Sequence, residues 1–85
     1  MTVMAASADT RRLQWRCRRG MKELDVLLER YLMNDFAGAS AQRQQAFAGL
    51  LELPDPVLHA YMIGRAVPEE EALRDVVGAI TRSAP

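Results

Sequence analysis

The run W-R-C-R-R-G-M-K-E-L-D, Trp15 to Asp25, sets four cations, the chain's one thiol and a glycine within eleven residues and then passes straight into an apolar periodic stretch. A glycine in a helix interior costs ~1 kcal/mol against alanine, so Gly20 predicts a break between two helices, not the middle of one. The cations therefore stand at a corner. With a helix starting at Gly20, the first three positions are Met21, Lys22 and Glu23, and Glu23 can reach back to a free backbone N–H as in a capping box. Its carboxylate is also favourable at the helix's positive end. At ~100° per residue, Arg19, Glu23 and Arg30 fall on one edge beside the apolar stripe. That edge is open to two readings: a surface for a partner, or a local Arg19–Glu23 pair worth about a few tenths of a kcal/mol.

Outward from this corner the chain reads as helices. Upstream, Ser7 or Asp9 can cap a first helix running to about Arg18, with Leu13 and Cys17 on one face and Trp15 on another side with Arg12 and Arg19. Trp15 has two readings, packing against another helix with an arginine stem over its ring, or a direct part in binding. Downstream, Leu24, Leu27, Leu28, Tyr31 and Leu32 form the core stripe of a second helix, Met21 to Asn34. Asn34 to Ala39 reads as a connection, and Ser40 caps a third helix that carries Phe47, Leu50 and Leu51 and runs to Leu53. L-P-D-P, Leu53 to Pro56, breaks and restarts the chain, with Asp55 as cap and Pro56 as the first position of a fourth helix. Leu58, Tyr61 and Met62 are its apolar side and Gly64 its end. Pro68 opens a fifth helix with Glu69, Glu70 and Glu71 at its positive end and Leu73, Val76, Val77 and Ile80 on its buried face.

The expected architecture is thus all-α, one compact bundle of five short helices with connections of two to six residues. Its 85 residues make one domain, with residues 9–81 as the bundle and frayed ends at 1–8 and 82–85.

Formal charge is zero but unevenly spread: residues 9–22 hold six cations (Arg11, Arg12, Arg16, Arg18, Arg19 and Lys22) and one anion, Asp9, while the rest holds five cations and ten anions. A basic corner on an acidic body suits the steering of a partner more than the gripping of a polyanion. No apolar run approaches the roughly 20 residues that span a bilayer. The first ten residues lack the basic region and apolar core of a secretory signal and the arginines of a mitochondrial presequence, so a cytoplasmic protein without membrane insertion is expected. One cysteine allows no internal disulfide, and no clustered Cys or His offers a zinc site.

Catalytic patterns are missing. His59 is the sole histidine and has no serine or carboxylate at triad spacing, and no phosphate loop or dinucleotide fingerprint occurs. Cys17 reads either as a thiol activated by its arginine neighbours or as a small buried hydrophobe facing Leu13. From the residues alone the chain is a small helical interaction module.

The run Leu13 to Asp25 closely resembles the signature of the FAD assembly factors, or flavinylation factors, of succinate dehydrogenase, whose hallmark R-G-x-x-E stands here as Arg19, Gly20 and Glu23. The resemblance continues through F-A-G-L-L-E-L-P-D-P-V-L, Phe47 to Leu58, and G-R-x-x-P, Gly64 to Pro68, covering roughly residues 11–80 in order. Tyr61 stands where many members carry Trp. The resemblance implies a five-helix chaperone, not an enzyme, that binds the flavoprotein subunit of succinate dehydrogenase, and often that of fumarate reductase. It would promote covalent attachment of FAD to a histidine there, acting on FAD carried by the partner and holding no tightly bound cofactor itself. Arg19, Gly20 and Glu23 would form the docking surface, with Arg16, Arg18, Met21, Lys22 and Asp25 as neighbours. A monomer that contacts no nucleic acid is expected. The alternative class is a nucleic-acid-binding, ribosome-binding or antitoxin-type regulatory module using the basic first helix.

Overall fold

Each break anticipated from Gly, Pro and Ser falls between two helices. The computed structural model describes residues 8–82, which form five helices: α1 (Ala8–Arg16), α2 (Lys22–Asn34), α3 (Ala41–Leu50), α4 (Asp55–Met62) and α5 (Glu71–Arg82). Gly20 separates the first two with φ +82°, a left-handed conformation that side-chain-bearing residues rarely adopt. Ser40 caps α3, its hydroxyl accepting the Arg43 N–H at 3.1 Å. Gly64, at φ +80°, closes α4 in a Schellman turn: its own N–H donates to the Tyr61 carbonyl at 3.3 Å, and the Arg65 N–H to the Ala60 carbonyl at 2.9 Å.

Several element ends differ from expectation, and at the end of α3 and the start of α5 the reason is a competing hydrogen bond. α1 stops at Arg16, and Asp9 lies inside it instead of capping it; Ser7 lies outside the described residues, as do 1–7 generally and 83–85. Ala8 and Arg82, placed in the ends by sequence, are helical. α3 ends at Leu50, not Leu53, because the next amides tighten into i→i+3 bonds, Glu52 N–H to Gly49 O and Leu53 N–H to Leu50 O, both 3.1 Å. Pro54, not Asp55, takes the cap position of α4, which leaves the Asp55 carboxylate available to another element. α5 starts three residues after Pro68, since the Arg74 guanidinium takes the Pro68 and Glu69 carbonyls at 3.1 and 2.7 Å. Of the three glutamates only Glu71 falls in the first turn of α5.

The core is one cluster fed by every helix. Leu13 and Cys17 enter from α1 and the turn after it, Leu24, Leu28, Tyr31 and Leu32 from α2, Phe47 and Leu50 from α3, Leu58 from α4, and Val76, Val77 and Ile80 from α5. α2 lies against α1, α4 and α5, while α3 packs chiefly on α5. Phe47 is fully buried, its ring 5.0 Å from that of Tyr31 and 5.6 Å from that of Phe36. The radius of gyration is 12.1 Å, close to the ~12 Å of a compact chain this long. This packing brings the α1–α2 corner beside the turn between α3 and α4.

Candidate functional site

The meeting of those two reversals is built on Arg19. Its Nη1 donates to the Leu53 carbonyl at 2.7 Å and to Asp55 Oδ1 at 2.9 Å, its Nη2 to the Leu51 carbonyl, and its Nε to the Arg16 carbonyl at 2.8 Å. A planar guanidinium presents donors in a fixed fork, and here the fork fastens one corner to the other. Only 13% of the Arg19 side chain is exposed. The carboxylate that Arg19 meets is therefore this chain's own Asp55.

The corner is held from its other side by Asp25. Its Oδ1 accepts the Arg19 N–H at 2.7 Å and its Oδ2 the Gly20 N–H at 3.3 Å, while Asp25 N–H makes a helical bond to Met21 O at 2.8 Å. Asp25 thus does the work expected of Glu23: the cap position of α2 is Met21, with no side-chain cap bond, and the reach back comes from the fourth helical residue, not the second. The physical reason lies in Gly20, whose left-handed turn points the Arg19 and Gly20 amides together toward one carboxylate.

With Arg19 and Asp25 turned inward, the exposed side of the corner consists of Gly20, Lys22 and Glu23. A Cβ placed on Gly20 would meet no atom of this chain within 4 Å. Glu23 has no hydrogen-bond or ion-pair partner among the described residues, so the local Arg19–Glu23 pair does not form. Met21 is partly buried and packs against the core. Arg16 faces Glu52 at 3.8 Å and Arg18 faces Glu29 at 3.6 Å, both pairs well exposed to solvent and each contributing about 0–1 kcal/mol. Three cations of the basic run are thus matched by carboxylates of this chain, and the corner offers less free positive charge than its composition suggests.

Trp15 is 72% exposed, with the Arg18 guanidinium 5.4 Å from its ring centre. The ring packs on an arginine, as one reading held, and at this exposure on no other helix among the described residues. Cys17 is fully buried beside Leu13, and its thiol is pushed up to about 12. Desolvation is the main cause, Glu29 and Asp25 add to it, and Arg19 opposes it, so the neighbouring arginines do not activate the thiol. His59 is half-buried on α4, and its imidazole has no hydrogen-bond partner among the described residues. The described residues contain no group of three or more His, Cys, Asp and Glu that could hold a metal ion, and none of their helices is long and apolar enough to cross a membrane.

Residues 11–84 match the family model described as the flavinator of succinate dehydrogenase. The chain belongs to that family. Curated relatives named FAD assembly factor SdhE include that of Coxiella burnetii, 35% identical over 71 residues, covering 84% of this chain and 87% of the relative. The Legionella pneumophila (strain Paris) protein is 43% identical over 76% of this chain and 82% of its own. That of Shewanella oneidensis is 43% identical over 87% of this chain and 92% of its own. Within the flavinator hallmark carried by this chain, the three letters have different geometries: Arg19 points in, Gly20 turns the chain, and Glu23 points out. Sequence reading grouped all three on a surface and missed Asp55, whose signal was the L-P-D-P break at the same point of the fold.

Proposed function

We propose that this flavinator binds the flavoprotein subunit of succinate dehydrogenase through the exposed side of its α1–α2 corner and promotes covalent attachment of FAD to a histidine of that subunit. The observation that carries the reading is Glu23: an exposed carboxylate without a partner among the described residues, beside a glycine whose missing side chain leaves open space, on a corner held by Arg19 and Asp25. Exposed polar groups on a rigid support suit recognition, because little ordering entropy is lost when a partner docks. Lys22 lies beside Glu23, and Arg16 and Arg18 flank the corner with charges their loose pairs can release.

The chemistry asks little of the helper. In this reaction the 8α-methyl carbon of the flavin would give up a proton, with negative charge on the pyrimidine side of the ring. The partner's imidazole nitrogen would then bond to that carbon and lose its own N–H proton, and the electron pair of the broken C–H bond would stay on the ring as two-electron-reduced flavin until an electron acceptor such as dioxygen reoxidises it. Holding the flavoprotein so that imidazole and flavin meet in near-attack geometry contributes several kcal/mol, up to ~7–11 in the most favourable cases. A chaperone can do this without a nucleophile of its own, in keeping with a buried, protonated Cys17. The flavoprotein of fumarate reductase, which presents the same chemistry, is a second partner in this proposal.

The test is covalent flavin fluorescence in an acid-fixed gel of the succinate dehydrogenase flavoprotein, co-expressed with no factor, with this chain, with Glu23→Ala and with Gly20→Arg. Fluorescence only with the parent chain, while both variants keep their helical circular dichroism, is the expected result. Equal fluorescence in every lane would overturn the assembly role, and loss of fold in both variants would make the outward face structural.

A further inference from the structure

At the end of α2 remote from the corner lies a widely open cavity of about 420 Å³ lined by Tyr31, Asp35, Ala39, Arg43, Ala79 and Arg82. Tyr31 lies nine residues beyond Lys22, ~14 Å along the helix axis, so the cavity is separate from the docking corner. Its floor is unusual for a core position. Tyr31 is 1% exposed, its ring set on Phe47, yet its hydroxyl has no hydrogen-bond partner among the described residues. Buried hydroxyls almost always have one. A hydroxyl without a partner at the base of a cavity is a donor waiting for an acceptor.

The walls supply cations in the same condition. Arg43 on α3 and Arg82 at the end of α5 have no side-chain hydrogen bond or ion pair among the described residues, in contrast to Arg16, Arg18, Arg19 and Arg74, which all do. Arg82 is folded back along its own helix: its Nη1 lies 3.1 Å from where a Cβ on Gly78 would stand, so the glycine makes room for the guanidinium. Ala39 and Ala79 keep the walls low. Asp35 is the one anion of the lining, and Arg43 and Asp35 act in opposite senses on the Tyr31 hydroxyl. Two positive charges against one leave the cavity cationic.

We propose that this cavity binds a small oxyanion, a phosphate or carboxylate group, held by the Arg43 and Arg82 guanidiniums with the Tyr31 hydroxyl as the third donor. Guanidinium donors suit both anions, and their hydrogen bonds to charged oxygens are about twice as strong as neutral ones. The site stands independently of the docking proposal, because it shares no residue with the corner.

The experiment is a titration of the isotope-labelled full chain, followed by amide NMR, with inorganic phosphate and separately with acetate, at constant ionic strength set by sodium chloride. Saturable shifts centred on Tyr31, Asp35, Arg43 and Arg82 are expected. Saturation by phosphate alone assigns a tetrahedral anion, and saturation by acetate as well assigns a site that also takes carboxylates. Arg43→Gln and Arg82→Gln each weaken binding about tenfold, in line with the loss of one charge-assisted contact. Tyr31→Phe weakens it by a smaller factor. Asp35→Asn tightens it, which a purely structural cavity would not show. Non-saturable shifts with both anions, or an affinity unchanged in the Arg43→Gln/Arg82→Gln double variant, would overturn the assignment.

Discussion

The inward course of Arg19 leads to a quantitative expectation. Arg19→Ala removes one ion pair and three hydrogen bonds from a charged donor, and strands the carbonyls of Leu51 and Leu53 in part-buried surroundings. The ion pair is the smaller part, because Asp55 is 38% exposed and solvent screens it. Each unsatisfied carbonyl costs about 1–3 kcal/mol, less where water can reach it, and the total loss is roughly 3 kcal/mol. For a domain of this size that lowers the melting temperature by roughly 10–25 °C. Arg19→Lys keeps the charge but cannot span carbonyls and carboxylate together, and recovers less than half of the loss. Asp55→Asn, which still offers an oxygen, costs under about 1 kcal/mol. The assay is urea and thermal unfolding followed by circular dichroism, run beside the flavinylation gel. If Arg19→Ala melts within about 2 °C of the parent and still fails to support flavinylation, the clamp is wrong and Arg19 belongs to the docking face.

Three further expectations concern the same region. Asp25→Ala frees the Arg19 and Gly20 amides and should cost ~1 kcal/mol, as loss of a helix cap does, measurable as a lower urea midpoint. Burial pushes the Cys17 thiol up from its ordinary 9.0 to about 12 in the folded chain, and the folded state prefers the neutral form. Its contribution is therefore complete below pH 9 and is lost as pH rises toward 12; Cys17→Ala should flatten this part of the alkaline unfolding curve, and the parent thiol should resist Ellman's reagent until urea is added. Trp15, 72% exposed, should show quenching by acrylamide close to that of the unfolded chain, and Trp15→Ala should change stability by less than about 0.5 kcal/mol.

Much of the fold was legible because it is punctuated by residues whose backbone preferences are local. Gly20, Ser40, Pro54 and Gly64 mark reversals by their own φ values, donors or acceptors, and the leucine spacing of α2 marks its buried side. What escaped were the competitors for orphan hydrogen bonds. Nothing local in L-E-L-P-D-P, Leu51 to Pro56, says that its carbonyls and carboxylate will face Arg19, 32 to 36 residues earlier in the chain. Nothing local says that Arg74 will hold the Pro68 and Glu69 carbonyls and delay the start of α5. Angular placement also assumed that Arg19 continues the geometry of α2, whereas Gly20 stands outside the helix and turns Arg19 to the other side.

That turn gives the hallmark its logic. In a continuous helix Arg19 and Glu23, four apart, would face the same way and spend their charges on each other. The left-handed Gly20 breaks the register, and Asp25 fixes the break by taking both amides around it. Arg19 is then free to bind the α3–α4 turn, and Glu23 is left at the surface without a partner among the described residues. The rigidity of the corner and the availability of its carboxylate are therefore one structural fact, since the bond that would satisfy Glu23 locally is the bond Arg19 makes elsewhere. A substitution at Gly20 acts on both at once, through a strained φ and through a side chain added where the chain leaves space. Substitutions at Arg19 and Glu23 should separate the two effects, the first read as a change in stability and the second, on the proposed docking, as lost flavinylation in a chain of unchanged stability.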